Sequence, residues 1–414
     1  MVGAGPHQEP VPLSTLMHES KAINSRLLVG TIGNEAENEI KQMRSLAVVA
    51  GFVALFVVLW DAFETIVLPR RVTDKFLLTR LFYRSTWLAW CALSHLFPGR
   101  KRRELFLSVY GPLSLIFLLI VWASGLIAGF ALLHWADGSA FQTADGRVSL
   151  TTDLYLSGST FFSLGLGGVA PQSAFARALV VVEAGIGFGF LAMMISYLPV
   201  IYQAFSRREV TISLLDARAG SPPTAAELLC RLRQDHRIEA LQQLLEEWEQ
   251  WSAELLESHL SYPMLAHFRS QHSNQSWLGA LTIILDTSAF LLADMESPNR
   301  YQAKLTFAIS RHAAVDLARM FALPPVKPPG TRLSAAELMQ LRIHLASVGL
   351  PLIDDRGVEE RLLGLRQMYE PYILALSKYL SLALPTWLPG HQSSDNWQTS
   401  ARDSLSHVGW ENRL

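Results

Sequence analysis

Charge is scarce in this chain: 17% of its 414 residues are Asp, Glu, Lys or Arg, where an ordinary soluble domain carries about a quarter. Half of the residues are hydrophobic, and the formal net charge is −1. No general basic footprint exists, so a nucleic-acid partner is not expected. Cysteine is scarcer still. Cys91 and Cys230 lie far apart without a CxxC spacing, which argues against a disulfide scaffold or a metal cluster. The histidines include His259, His267 and His272 but no HExxH-like spacing, so core or surface roles are expected rather than metal ligation. The sequence beyond residue 208 lacks a G-x-S-x-G elbow, a Walker motif and a dinucleotide fingerprint. Neither an enzyme domain nor a cofactor is expected. The first 45 residues hold no apolar core preceded by basic residues, so no cleaved signal peptide is expected.

Long apolar runs stand in place of charge. Leu46–Leu68 is about 23 residues, enough to span a hydrocarbon core of roughly 30 Å. Asp61 and Glu64 interrupt its last turns beside Trp60 and ahead of Pro69, Arg70 and Arg71. Both acids are expected at the interface, paired with those arginines; a functional intramembrane acid is the other reading. Leu105–Trp135 and Phe175–Phe205 are each about 31 residues, roughly 45 Å as helices, so both cross with tilt and project beyond the bilayer. Gly99-Arg100-Lys101-Arg102-Arg103 opens the first run and Ser206-Arg207-Arg208 closes the second. The positive-inside rule assigns both ends to the cytoplasm and the intervening loop to the outside. With Arg70 and Arg71 also inside, three crossings result, and the N-terminus with Glu35, Glu37 and Glu39 lies outside.

Residues 76–98 carry apolar triplets around Arg80 and Arg84, which suits an amphipathic helix lying on the membrane surface. A fourth crossing ranks second, because it would leave Arg70 and Arg71 outside. A voltage sensor ranks lower, because an arginine at every third residue is missing.

Past Arg208 the pattern becomes that of a soluble helical bundle. Ser221-Pro222-Pro223 marks a linker, Thr224 with Glu227 forms a capping box, and Ser334 with Glu337 forms a second. Helices are expected at 236–258, 277–293, 300–321, 334–348 and 356–383, with breaks at Pro263, Pro298 and the proline-rich stretch 324–330. Leu278–Ala293 contains Asp286 and is short for a crossing, so it is expected to be the central helix of the bundle. The acidic stretch Glu246, Glu247 and Glu249 reads as a solvated face.

The most informative segment lies between the two long runs. Asp153 suits the N-cap of a short helix, Leu154–Phe162, which includes Thr160, Phe161 and Phe162. Such a helix enters from outside and stops midway, and the partial negative charge at its C-terminal end favours a cation. Ser163, Leu164, Gly165, Leu166, Gly167 and Gly168 follow. The carbonyls of Ser163, Leu164, Gly165 and Leu166, with the Ser163 hydroxyl, are the expected ion ligands. Gly165 and Gly167 are expected to hold the backbone angles that aim those carbonyls. Irregular backbone survives at membrane depth only where it lines a watery path.

On these residues the span from about Leu105 to Phe205 resembles the pore module of the two-transmembrane potassium channel family. That family's filter reads Thr-Val-Gly-Tyr-Gly-Asp, with a threonine three residues before. Thr160 holds the preceding position here, and Pro171 falls where the family often has a proline. Ser163 keeps a hydroxyl. Leu166 replaces the tyrosine that braces the filter, with Phe161 and Phe162 available as an apolar cuff, and Gly168 replaces the aspartate. The resemblance covers about a quarter of the chain. It implies passive conduction of a monovalent cation, potassium, through four copies around one axis, with no cofactor and no metal beyond the permeating ion. On the inner helix, Gly185, Gly187 and Gly189 serve either as a gating hinge, by resemblance, or as packing sites. Pro199 is placed to kink that helix near its inner mouth. Glu183 is either neutralised by a hydrogen bond behind the filter or a pore charge.

The expected architecture is an all-α membrane protein with a potassium-channel-like pore module and a cytoplasmic helical bundle. It comprises a mobile polar tail (1–45), a first transmembrane helix and surface helix (46–104), the pore module (105–205), the bundle (206–390) and a loose tail (391–414). The expected location is the cell membrane, and the expected partners are lipid, further copies of the chain and a cytoplasmic ligand or protein not identified by sequence. The competing reading is a non-conducting receptor or scaffold with a vestigial loop. A transporter would need a second re-entrant loop in an inverted repeat, and none is visible.

Overall fold

The computed structural model describes residues 13–68, 78–143, 148–165, 167–234, 238–270, 275–295, 298–327, 330–353, 355 and 357–389; at 13–36, 233–234 and 238–239 it describes the backbone alone. The chain runs α1 (Leu13–Ile66), α2 (Leu78–Ser94), α3 (Arg100–Ala136), β1 (Phe141–Thr143), α4 (Leu150–Phe161), β2 (Val169–Pro171) and α5 (Ala174–Ala219). There follow α6 (Ala225–Gln234), α7 (Ile238–Ser261), a 3-10 turn (Pro263–His267), α8 (Trp277–Asp294), α9 (Arg300–Met320), α10 (Ala335–Ser347), α11 (Val358–Gln367) and α12 (Glu370–Leu380).

Three long helices carry apolar spans that leave most of their surface uncovered: Glu37–Ile66, Arg100–Ala136 and Ala174–Ala219. Trp277–Asp294 is also long and apolar enough to cross, but 94% of it is buried inside the protein. A helix wrapped by its own domain has no face left for lipid, so α8 is a core helix. At 37 and 46 residues, α3 and α5 are roughly 55 and 70 Å long, well beyond the ~30 Å of a bilayer core. Both are therefore shared between two compact units, one comprising Met1–Trp60 with Val121–Met193 and the other Asp61–Ile120 with Met194–Leu414.

In the first unit, α1 and α3 meet through glycines. A Cβ on Gly51 would lie 2.9 Å from the Gly129 carbonyl oxygen, and one on Gly125 would lie 2.8 Å from Val58. Without a hydrophobic drive between helices in lipid, such close backbone contact is how packing is gained. Trp122 meets Phe190 edge to face at 6.4 Å, bracing α3 on α5. The strands pair antiparallel in the register Phe141↔Pro171, Gln142↔Ala170 and Thr143↔Val169. Three-residue strands carry too few positions for an alternating pattern, so sequence periodicity gave no sign of them.

The second unit is built around α8, with α6, α9, α11 and α12 against it and α7 packed on α9. Trp248, Trp277, Phe290, Tyr369 and Trp387 are fully buried there. Asp286 is tolerated in this core because Arg332 grips it with two nitrogens, at 3.1 and 2.8 Å, and the Tyr369 hydroxyl donates to it at 2.5 Å. The expected single helix 356–383 is instead two, α11 and α12. Pro371 has no N–H to donate to the preceding turn and is tolerated only in a helix's first turn, so the chain breaks at Met368–Tyr369 and α12 starts afresh with Pro371 in its first turn.

The ends differ from expectation as well. Residues 13–45 belong to α1 rather than to a tail; no proline interrupts them, and Glu37 pairs with Lys41 one turn on at 2.7 Å. Asp61 was expected to pair with Arg70 and Arg71, which lie outside the described residues; among the described residues it accepts from the Thr79 N–H at 3.2 Å and the Thr79 hydroxyl at 2.6 Å. Residues 391–414 lie outside the described residues. The 17-residue α2 packs by Trp87 into the second unit, of which it is part, with the indole N–H donating to the Tyr379 carbonyl at 2.8 Å.

Candidate pore site

Helix α4 starts earlier than Asp153. Ser149 stands at its N-cap, and the Ser149 N–H donates to the Thr152 hydroxyl at 3.3 Å. The N-cap assignment to Asp153 is thus corrected. Asp153 lies within the first turns, buried, and accepts from the Ser139 hydroxyl at 2.9 Å. Ser139 is brought there by a left-handed turn at Gly138 and Ser139, with φ of 86° and 50°. A matching tie holds the far side. Ser173 donates to Asp137 at 2.8 Å and its oxygen caps α5 by accepting from the Ala176 N–H at 2.9 Å. The β1–β2 ribbon and these two serines fasten both ends of the loop that contains α4.

The helix stops after 12 residues, about 18 Å, too short to cross a bilayer. Its end is closed by two bonds, Ser163 N–H to the Thr160 carbonyl at 2.9 Å and Leu164 N–H to the Ser159 carbonyl at 2.8 Å. This is a Schellman closure, which requires a left-handed residue at its hinge. Ser163 takes that conformation, with φ of 53°, and Gly165 follows at 65°. The sequence singled out Gly165 and Gly167 for unusual backbone angles, of which Gly165 is seen left-handed, and missed Ser163. Serine is rarely found there and bears a steric cost that glycine avoids. Leu166 lies outside the described residues. Ser163, Leu164, Gly165, Gly167 and Gly168 are all exposed in the single chain.

Below this loop the packing is tight. Phe161 is fully buried, 5.7 Å from the Phe190 ring, whereas Phe162 turns outward at 45% exposed. Of the expected cuff, only Phe161 therefore forms part of the floor. Thr160 is half-buried, and its carbonyl serves the closure just described. A Cβ on Gly187 would fall 2.2 Å from the Phe161 carbonyl oxygen, whereas added methyls at Gly185 and Gly189 would meet nothing within 4 Å. Gly187 is a packing glycine that lets α5 touch the end of α4. Helix α5 continues unbroken past these glycines and through Pro199.

Glu183 sits behind α4 rather than on an open face. Its carboxylate accepts from the Ser157 hydroxyl and lies 3.5 Å from His134 Nε2, and all three side chains are buried. The Ser157 hydroxyl also lies 2.8 Å from the Ile127 carbonyl, tying α4 to α3. Sequence reasoning missed His134 and Ser157. The available signal was an ionisable residue near the end of an apolar run, which asks for a partner.

Comparison with known proteins bears on this geometry. Residues 114–203 match the sequence profile of a family described as ion channel. The chain is 21% identical over 198 residues, 47% of its length, to the uncharacterized membrane protein YdjJ of Bacillus subtilis (strain 168), and that match spans 57% of the relative. No solved structure matches. Residues 114–203 are therefore similar to an ion-channel domain.

Proposed function

We propose that this protein is a passive channel for a monovalent cation, potassium, with a pore assembled from four copies of the chain. One observation carries the reading: a helix too short to cross, lying between two membrane spans, ends in a left-handed turn at Ser163 and Gly165. The carbonyl end of α4 bears partial negative charge without a negative side chain, and the backbone beyond it supplies oxygens that replace ion hydration. A single chain offers one such loop, so a ring of ligands needs several copies. Ser163, Leu164, Gly165 and Leu166 are the proposed ligands. The chain resides in the cell membrane with its helical domain on the cytoplasmic side, where Arg100–Arg103 and Arg207 cluster. That domain modulates opening or assembly, and the transport involves no covalent chemistry.

A second reading, a non-conducting receptor, is favoured by Leu166 and Gly168, which remove the bracing phenol and the acidic outer mouth. Potassium flux in liposomes that is sensitive to barium and lost in Gly165→Ala supports the channel. Intact tetramers that pass no cation would select the receptor.

A further inference from the structure

Helix α2 has two unlike faces. On one, Trp87 is 1% exposed, with its ring 4.8 Å from Tyr110 and 4.9 Å from His267, locked into the second unit, of which α2 is part. On the opposite arc Leu81, Ser85, Leu88 and Ala92 follow one another at helical spacing, all exposed. Leu81 is 67% and Leu88 58% exposed. A helix covering a domain in water turns its leucines inward; α2 turns them outward. The same surface continues past its end, where Leu96 and Phe97 are also exposed.

Cations border this apolar arc. Arg84 is exposed at its margin, and Arg100, Lys101 and Arg102 are exposed where α3 begins. Glu104, the acid that follows them, is taken up by Arg269. Directly beyond lies the apolar span of α3. Leucines flanked by cations of a single sign fit a lipid headgroup boundary, where apolar side chains enter and cations meet phosphate. A second copy of the same face would set like charges against one another.

We propose that the outer arc of α2, with Arg84, Arg100, Lys101 and Arg102, is a docking surface for an anionic lipid leaflet. α2 is then held between bilayer and helical domain, its leucines in the lipid and Trp87 in the protein. Lipid composition reaches the domain through this helix.

The test uses full-length protein in liposomes, with a nitroxide on Leu88→Cys in a Cys91→Ser, Cys230→Ser background. In vesicles rich in phosphatidylglycerol, the label should be open to dissolved oxygen and shielded from a water-soluble nickel chelate. Nickel access should rise several-fold in pure phosphatidylcholine, and equally when Arg84, Arg100, Lys101 and Arg102 are changed to Gln. Should that variant not fold, the lipid exchange on the native cations gives the same readout. Free nickel access in acidic vesicles overturns the proposal. So does shielding that ignores both lipid charge and the glutamine variant. Strong spin–spin broadening would assign the face to a second copy and overturn it too. No arm measures ion flux, so the outcome is independent of the channel reading.

Discussion

At Gly187 there is no room for a single methyl group. The nearest atom to an added Cβ is a backbone carbonyl at 2.2 Å, which cannot swing aside as a side-chain tip would. Gly187→Ala is expected to cost about 3 kcal/mol, the upper part of the overpacking range, seen as a lower melting temperature in detergent. Gly185→Ala, whose methyl meets nothing within 4 Å, should leave melting unchanged or raise it slightly. Similar losses for both would refute the contact between α4 and α5. Glu183 gives a second residue-level test. Glu183→Gln keeps an oxygen for the Ser157 hydroxyl and should fold with nearly native stability. Glu183→Ala removes the buried acceptor and opens a cavity, leaving the Ser157 hydroxyl only the Ile127 carbonyl, at a cost of about 1–3 kcal/mol. Equal melting of the two variants would mean that the Ser157–Glu183 bond contributes nothing. The sequence marked both residues, Gly187 as a small residue in an apolar run and Glu183 as an acid in one. Their partners come from distant positions, Phe161 and Ser157, and only folding brings these together.

Among the elements, the segment from Pro263 to Arg269 ties together several parts of the second unit. Arg208, near the end of α5, is buried and donates to the Leu265 carbonyl at 2.9 Å and the Phe268 carbonyl at 2.7 Å. Arg269 reaches the Leu380 and Ser381 carbonyls at 2.9 and 3.1 Å. A Cβ on Gly111 of α3 would touch the Phe268 ring at 2.8 Å. Sequence reasoning read Pro263 as a break and Arg208 as a boundary cation; neither spacing nor composition could show that they interlock. Two histidines sit beside this clasp. Burial, with the Arg269 cation, pulls His267 down from its usual 6.5 to about 3. Burial and the Arg208 cation hold His259 well below its usual range. Both are neutral when folded, so the unfolded chain binds more protons below about pH 6.5, and stability falls as pH drops toward 3. Thermal melts from pH 7 to pH 4 should show this decline, and His267→Phe should make it shallower. An unchanged slope in that variant would refute the burial argument.

For the whole molecule, the order of parts was legible in the sequence: apolar spans, a short helix between two of them, then helices around an apolar α8. Long apolar runs and basic clusters are strong one-dimensional signals. The β1–β2 ribbon was not legible, because three-residue strands carry no alternating pattern; the reach of α1 back to Leu13 was hidden by its polar composition, and the break ahead of Pro371 was overlooked although the proline marks it. The division into units also departs from the chain order, since α3 and α5 outrun the bilayer and take part in both. The turn that ends α4 is a short stretch of backbone in left-handed geometry at Ser163 and Gly165. Alanine at Gly165 would have to occupy φ of 65°, a conformation costing about 1–2 kcal/mol for an L-residue.

The most direct measurement is potassium flux from liposomes loaded with purified protein, native against Gly165→Ala, with oligomeric state checked on the same samples. The account predicts barium-sensitive flux in the native protein and its loss in a variant that still assembles. Native tetramers impermeable to potassium, or a variant that conducts as well as the native chain, would contradict it.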